Sequence, residues 1–584
     1  MDDTDNAAAK RQDAQLKRAL ATIRTLRRKL DERGGDQPVA IVGIGLRLPG
    51  GIADTEAYWT ALAAGRDLVG PMPPARQGPF AAEWAELPQR GGFLDEVLDF
   101  DADFFGISPR EARALDPQHR LLLEVAWEAL ENAAVPADRL AGRPAGLYVG
   151  ITGQDYRDWL PGEPDAYWAT GNGHCFAAGR LAYSLGLTGP AMAVDTACSS
   201  SLVAVHLAVQ ALRRGECEVA IAAGVNLIMS PRSTRLVVQT RSLAPDGLCK
   251  AFDARANGFT RGEGAGALVL KPLARAVRDG DRIHAVIRGS AVNQDGRSSG
   301  FTAPNVLSQV ALIEAALAGA GAGPADVGYV EAHGTGTALG DPIEMEALAT
   351  VLGRRNGGAP LAVGSVKTNL GHLEAAAGVA GLVKAVLCVQ RRQVPPVVHL
   401  RTLNPRIDLD GTGIVVPDRL VDWADGAGRL AGVSSFGMSG TNAHLVIGAV
   451  EPDELTERPA PPSGPVAGFV VSARTPEALR ELAAAYAQRV RSLSPEDYPA
   501  FAATANTGRS RLPVSAWIAA ADPDAAVAGL TALAAGEPPA EADPAALADA
   551  AARRAVLDLP SYPWQRQRHA PELPVGEPGE PGPA

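Results

Sequence analysis

The stretch AVDTACSSSLVAVHLAVQALRRG, residues 193–215, decides the reading of the chain. The run from Ala191 to Val194 leads into it and is short and apolar, the pattern of a buried strand. Beyond it Leu202, Val203, Val205, Leu207, Val209 and Leu212 fall on all sides of a helix, which predicts a helix buried all round. Ser199, Ser200 and Ser201 suit a first helical turn. Arg213, Arg214 and Gly215 supply its stop signals. Cys198 thus stands where a strand turns into a buried helix, at the positive end of the dipole, a placement expected to lower a thiol's pKa. Taken alone it reads more readily as a buried structural cysteine. Motifs farther along reverse that preference.

The second motif, YVEAHGTGTALGDPIE (329–344), delivers His333 from a strand into a loop of Gly334, Thr335, Gly336 and Thr337. In the third, VGSVKTNLGHLEAAAGVAGLVKAVL (363–387), a strand brings in Lys367, Asn369 and Gly371 turn the chain, and His372 opens a long Ala-rich helix. The fourth, GVSSFGMSGTNAHLVI (432–447), is a glycine-rich turn between two apolar runs. One histidine after a strand is usually a satisfied polar residue. Two in Gly-rich loops, alongside a cysteine at a helix N-terminus, make the set expected of acyl transfer. Neutral imidazoles near a thioester carbonyl donate hydrogen bonds to developing negative charge.

At 584 residues the chain suits two to four domains. With 46% hydrophobic and 21% charged residues it has material for a large core. The net charge of −11 is spread out, and no basic block suggests nucleic acid. Only seven lysines occur, so Lys367 in an apolar motif stands out. The five cysteines (175, 198, 217, 249 and 388) form no CxxC pair, which fits a reducing cytoplasm and argues against a metal site. No signal peptide and no apolar run approaching a membrane span is found, so a soluble cytoplasmic chain is expected, with no membrane partner.

Along the chain, residues 1–36 carry a heptad seam at Leu16, Leu20, Ile23 and Leu30, ringed by Lys17, Arg18, Arg24, Arg28 and Lys29, with Arg27 on the seam. The preferred reading is a short dimeric coil that receives an acidic partner helix; the alternative is a solvated helix leading into the core. PVAIVGIGLRLPGG (38–51) opens a folded body with a strand and a tight turn; its glycines are misplaced for a dinucleotide loop. Residues 104–132 predict an amphipathic helical region with Leu121, Leu122, Val125, Trp127 and Leu130 on its apolar side. LYVGI (147–151) predicts the next strand, and His174 and Cys175 a wall of the acyl pocket or of a dimer surface. Strands and helices then alternate twice over, which predicts an α/β body of two related halves with covered sheets, 37–290 and 291–450. After a Pro-rich linker, 451–550 predicts a small α/β unit with helices at 475–493 and 523–535. LDLPSYPWQRQRHA (557–570) falls in a wrapping segment, 551–570, and 571–584 is a disordered tail.

DTACSSS, EAHGTGT and KTNLGH, in this order and with GVSSFGMSGTNAH behind them, resemble the Cys-His-His set of the β-ketoacyl synthase family. The likeness is closest to ketosynthase domains of modular polyketide synthases and covers about residues 37–450, with weaker similarity to about 569. It implies a thiolase-like fold, a homodimer and no cofactor of its own, the phosphopantetheine arriving on acyl carrier proteins upstream and downstream. Cys198 takes the acyl chain, and His333 and His372 promote decarboxylation of a malonyl-type extender. Lys367 orients the histidine loops. The N–H groups of Cys198 and Phe436 hold the oxyanion, Thr335, Thr337 and Asn369 bind the phosphopantetheine, and Phe436 gates the pocket. Residues 451–550 resemble the linker domain between ketosynthase and acyltransferase, and 551–570 the segment after the acyltransferase, with Ala570 where an aromatic is usual. No acyltransferase fits between them, which implies either an extender supplied in trans or a module from which the acyltransferase has been deleted. Two other classes stand against this reading: a non-elongating docking scaffold, opposed by the intact Cys198, His333 and His372, and a hydrolytic cysteine enzyme, opposed by the second histidine and the lack of a carboxylate orienter.

The seam of residues 1–36 is too short to stabilise a dimer alone. Deleting residues 1–33 should leave a dimer by light scattering and unchanged rates on small thioesters. Transfer from the cognate upstream carrier should fall, most at low salt, where the Lys and Arg contacts are least screened. A monomeric deletion variant would refute this.

Overall fold

The computed structural model describes residues 37–353, 359–460, 466–538 and 556–571. The expected coil at 1–36 and the tail beyond 571 lie outside the described residues. Eleven strands form the main sheet: β1 (Val39–Arg47), β2 (Ala145–Gly150), β3 (Ala191–Val194), β4 (Val219–Asn226), β5 (Gly264–Pro272), β6 (Ala285–Gln294), β7 (Val327–Glu331), β8 (Leu361–Gly364), β9 (Ile414–Val415), β10 (Leu430–Phe436) and β11 (Thr441–Gly448). Their order across it is β9-β8-β7-β10-β11-β6-β1-β5-β4-β2-β3. The two expected halves therefore share one sheet, joined where β1 pairs with β6 over only Val39↔Ile287, Ala40↔Val286 and Ile41↔Ala285. Strand β6 runs across the expected division at 290.

β1 shows why so many strands read as unbroken apolar runs. Its Ala40 and Val42 enter one core, with Leu122, Val125, Ala126 and Ala129 of helix α1 (Pro117–Asn132). Val39 and Ile41 enter another, with Leu202, Val205 and Val209. Both faces of the strand are covered, so both sets of alternating positions are apolar. The inner core is built on α3 (Ser200–Arg214) and α6 (Ala377–Arg391); α2 (His174–Leu185) packs on β3, and α4 (Val306–Ala320) with α5 (Gly340–Leu352) covers the far side of the second half. α3 is buried nearly all round and ends on Gly215 in the left-handed conformation, as its sequence predicts. It lies so close to α6 that a Cβ on Gly378 would stand 2.9 Å from the Leu202 N and Cβ atoms.

Two expectations change. Ala191–Val194 is a strand, but it is the last of its sheet, and Ala191 and Met192 are exposed. An apolar run reads the same whether its own chain covers it or leaves it open. The 104–132 region is two helices, Pro109–Ala114 and α1, broken because Asp116 caps the second by accepting from the Gln118 N–H at 2.8 Å. Nor is α1 one-sided: Glu124 and Glu128 are buried along with its apolar face.

What buries them is the C-terminal segment. Residues 556–571 run across α1 antiparallel to it. The Tyr562 N–H donates to Glu131 at 2.8 Å, the Trp564 indole to Glu128 at 2.6 Å, and Arg566 holds Glu124 through Nε at 3.0 Å and Nη2 at 2.7 Å. These glutamates recur at spacings of four and three, so one helix face meets successive turns of the strap. The Tyr562 and Trp564 rings pack on Phe104 with centroids 4.6 and 4.9 Å away. Gln567–Arg568 adds a short strand against Asp99–Phe100, and Ala570 packs on the cluster around Leu94 and Tyr156.

The linker unit pairs Gly468–Ala473 with Val514–Ala519 under helices Pro476–Arg491, Tyr498–Thr507 and Pro523–Ala534. Leu479, Leu482, Tyr486 and Val490 are buried, as their spacing predicts. It is fastened to the body by the Arg509 guanidinium on the Glu131 carbonyl at 2.7 Å and by Ser510 Oγ accepting from the Ala137 N–H at 2.9 Å. No helix among the described residues is long and apolar enough to cross a membrane.

Trp564→Ala removes most of the aromatic contact of the strap and the bond to Glu128. It should cost about 2–4 kcal/mol in urea-induced unfolding, with faster hydrogen exchange in 97–100. An unchanged midpoint would mean that the strap contributes nothing to the body.

Candidate active site

Between β3 and α3 the chain makes a tight turn. Ala197 has a φ of 56°, in the left-handed region, and Ala197–Ser199 is a single 3-10 turn that places the partly buried Cys198. The serines after it fasten the turn. Ser200 Oγ donates to the Ala197 carbonyl at 2.6 Å and accepts from the Thr196 N–H at 2.9 Å, and Ser201 Oγ accepts from the Val379 N–H of α6 at 3.1 Å.

The fourth motif closes over this turn. Ser435 Oγ donates to the Cys198 carbonyl at 2.8 Å. A Cβ on Gly437 would fall 2.2 Å from the Thr196 carbonyl, so no larger residue fits there. Phe436 is the last residue of β10, paired in register with Asn442, and its ring lies 5.5 Å from that of His333. The chain turns at Gly437, and it is the Met438 N–H that reaches Cys198 Sγ. Phe436 pairs with Asn442, and the next residue closes the hairpin, the Gly437 N–H donating to the Thr441 carbonyl at 2.8 Å. Phe436 is buried, while Met438 stands 54% exposed at the same turn.

His333 and His372 meet with ring centroids 5.5 Å apart and planes at 82°. The His333 loop hangs from Glu344, whose carboxylate accepts from the His333 and Gly334 N–H groups at 2.7 and 2.8 Å. Asp341 does the same for Gly336 at 3.1 Å. Neither carboxylate was singled out from the sequence, although both sit in the first turns of α5 just after the Gly-rich loop, where loop amides need acceptors. Thr335 and Thr337 place their hydroxyls 3.1 Å apart, and the Cys249 thiol donates to the Thr335 carbonyl at 3.2 Å.

His372 does not begin a helix. Gly371 turns the chain at a φ of 77°, and the His372 backbone is spent on a bridge to residues 260–262, so helix α6 starts only at Ala377. Lys367 opens the short helix Lys367–Leu370. The Asn369 amide donates to the Arg66 carbonyl at 2.9 Å, tethering that loop.

Burial governs the electrostatics. It pushes the Cys198 thiol up to about 11, helped by Glu374 and opposed by Lys367 and the Met438 N–H. The lowered thiol expected from the sequence is not found: desolvation of the thiolate is the largest cause and moves it upward. Burial, with Lys367 next, holds both His333 and His372 well below the usual imidazole range. Lys367 is lowered by burial too, against Glu331 and Glu344. The site thus offers a neutral thiol and two neutral imidazoles at physiological pH.

Residues 36–276 match the family profile "Beta-ketoacyl synthase, N-terminal domain", 284–401 its C-terminal domain and 404–518 the "Ketoacyl-synthetase C-terminal extension". The chain belongs to the β-ketoacyl synthase family. Subunits C and B of the phenolphthiocerol/phthiocerol polyketide synthase of Mycobacterium tuberculosis are 49% and 48% identical over 522 residues, 86% of this chain. The ketosynthase spans only 28% and 33% of those two proteins. The ketosynthase from module 6 of the bacillaene synthase of Bacillus subtilis superposes with a TM-score of 0.80 at 35% identity, over 91% of this chain and 100% of that one. An oxazolomycin ketosynthase domain from Streptomyces albus gives 0.80 at 34%, over 92% and 99%. The fold is thiolase-like, and the chain is a ketosynthase of the polyketide synthase type.

The raised thiol and lowered imidazoles set the pH behaviour. Alkylation of Cys198 by iodoacetamide, followed by intact mass, should rise about tenfold per pH unit from 7 to 9 without levelling. Decarboxylation should show no loss from histidine protonation between pH 8 and 6, since both groups titrate below that window. A plateau in alkylation near pH 7 would mean an activated thiolate instead.

Proposed function

We propose that this ketosynthase lengthens an acyl chain by decarboxylative Claisen condensation with a malonyl-type extender, both delivered on the phosphopantetheine of acyl carrier proteins. What supports the reading is a pair of neutral imidazoles from separate loops, 5.5 Å apart, with Lys367 acting on both of them and on the Cys198 thiol. Cys198 attacks the acyl thioester, and the carrier thiol leaves with the proton. His333 and His372 donate to the extender's thioester oxygen as carbon dioxide departs and an enolate forms. The enolate carbon then attacks the Cys198 thioester, whose oxygen is held by the Cys198 and Met438 N–H groups. Collapse of that intermediate releases the Cys198 thiol and a β-ketoacyl carrier. Lys367 orients the histidine loops, and the Thr335 and Thr337 hydroxyls suit the amides of the arm.

Three further assignments belong to this proposal. A homodimer forms through β3, whose open edge with exposed Met192, and Phe176 and Tyr183 on the neighbouring α2, offers a surface for a second copy. Residues 1–36 receive a docking helix of the upstream synthase. The extender is loaded by an acyltransferase outside this chain, since the linker helix that ends at Ala534 is followed by the strap from 556 onward with too few residues between for such an enzyme.

With an acyl thioester, a carrier protein and malonyl-CoA alone, the purified chain should make no product. Adding a free-standing acyltransferase should give carbon dioxide and a carrier-bound product two carbons longer. Cys198→Ala should lose acyl loading by intact mass and keep some decarboxylation. A Cys198→Ala variant acylated at normal stoichiometry would overturn the nucleophile, and product without an acyltransferase would overturn external supply.

A further inference from the structure

His372 is gripped by its own backbone. Its N–H donates to the Thr260 carbonyl at 2.6 Å, and its carbonyl accepts from the Gly262 N–H at 2.8 Å. Between these two lies Arg261, whose buried guanidinium turns back toward the residue two places after the histidine. Nε and Nη2 donate to the two carboxylate oxygens of Glu374 at 2.6 and 3.1 Å, a forked pairing that only arginine makes. The opposite side of the guanidinium is also fixed, with Nη1 on Thr234 Oγ at 2.6 Å and on Ser233 Oγ at 3.1 Å. Ser233 Oγ in turn donates to Asp155 at 2.8 Å.

Glu374 has a φ of 45°, a left-handed backbone that a residue with a side chain adopts only when held. In that conformation its N–H donates to His372 Nδ1 at 3.1 Å. A ring nitrogen that accepts from an amide carries no proton, so the imidazole proton of neutral His372 resides on Nε2.

We propose that the Arg261–Glu374 ion pair is the positioning element for His372. It holds Glu374 in the left-handed conformation, so that the Glu374 amide fixes the ring and its tautomer and leaves Nε2–H as the donor to the extender. The assignment rests on the condensing function proposed above. Neither residue touches the reacting atoms; both act through the backbone of residue 374.

Two substitutions at one position separate this from a merely structural ion pair. Glu374→Ala and Glu374→Gly lose the same carboxylate, but only glycine takes a φ of 45° without strain. Glu374→Ala should lower kcat for malonyl-thioester decarboxylation about tenfold, the equivalent of the left-handed penalty per residue. KM for the thioester should stay unchanged, and acyl loading of Cys198 should not fall, since loss of the Glu374 charge eases ionisation of the thiol. Glu374→Gly should recover most of that loss. Equal kcat in Glu374→Ala and wild type, or equal impairment in both variants, overturns the proposal. Should Glu374→Ala fail to fold, Arg261→Gln against Arg261→Lys carries the same test: glutamine should cut kcat without changing KM and lysine should restore part of it, and a glutamine variant with wild-type kcat overturns the proposal. A wild-type protein that neither loads Cys198 nor decarboxylates a malonyl thioester would instead remove the condensing function, and this assignment with it.

Discussion

The site depends on one contact between distant parts of the chain: the Ser435 hydroxyl on the Cys198 carbonyl, across 237 residues of sequence. Everything near the thiol follows from it. Gly437 must be glycine because the hairpin between β10 and β11 presses on the Thr196 carbonyl, and that pressure aims the Met438 amide at the sulfur. The same hairpin sets the Phe436 ring against His333. The nucleophile's own turn, with Ala197 left-handed, is complete only when strands from the far half of the sheet are in place. Loop-closure entropy for such a contact is offset by the long β10–β11–β6 pairing beside it.

Around that contact, charge is handled by burial more than by pairing. The carboxylates Glu344 and Asp341, pushed up to about 7 and about 6 by burial, serve as acceptors for loop amides instead of as proton carriers. Glu331 accepts from the Val366 N–H at 2.6 Å and pairs with Lys384 at 2.8 Å, beneath the strand end that leads to Lys367. The His333 loop and the strand end before Lys367 are thus each hung from a buried acid. The loops themselves need only supply glycine, a small hydroxyl and an imidazole, which is why they look so simple in sequence.

That simplicity is what made the sequence readable. Cys198 before a helix of apolar residues on every side, and His333 and His372 each after a strand and beside glycines, are patterns of local chemistry. The structure sets the His333 and His372 rings 5.5 Å apart, with Lys367 acting on both and on the Cys198 thiol. Unreadable features all depended on what lies opposite. Ala191–Val194 has the apolar character of a strand, but character does not say which neighbour is missing. Glu124, Glu128 and Glu131 look like a solvated face until a strap nearly 440 residues away lies along them. That the Met438 N–H faces the thiol depends on where the chain turns after β10, which two glycines and a serine do not announce. Arg261 and Glu374 meet only because two loops cross at His372.

The high pKa of the Cys198 thiol has a bearing on the resting protein. Peroxide and disulfide exchange attack through the thiolate, so a thiol held almost wholly protonated by its surroundings resists conversion to sulfenic acid while it waits for substrate. Cys249 and Cys388, both buried and both pushed to about 12, are shielded in the same way. The cost is a thiol whose reactivity must be created anew for each attack.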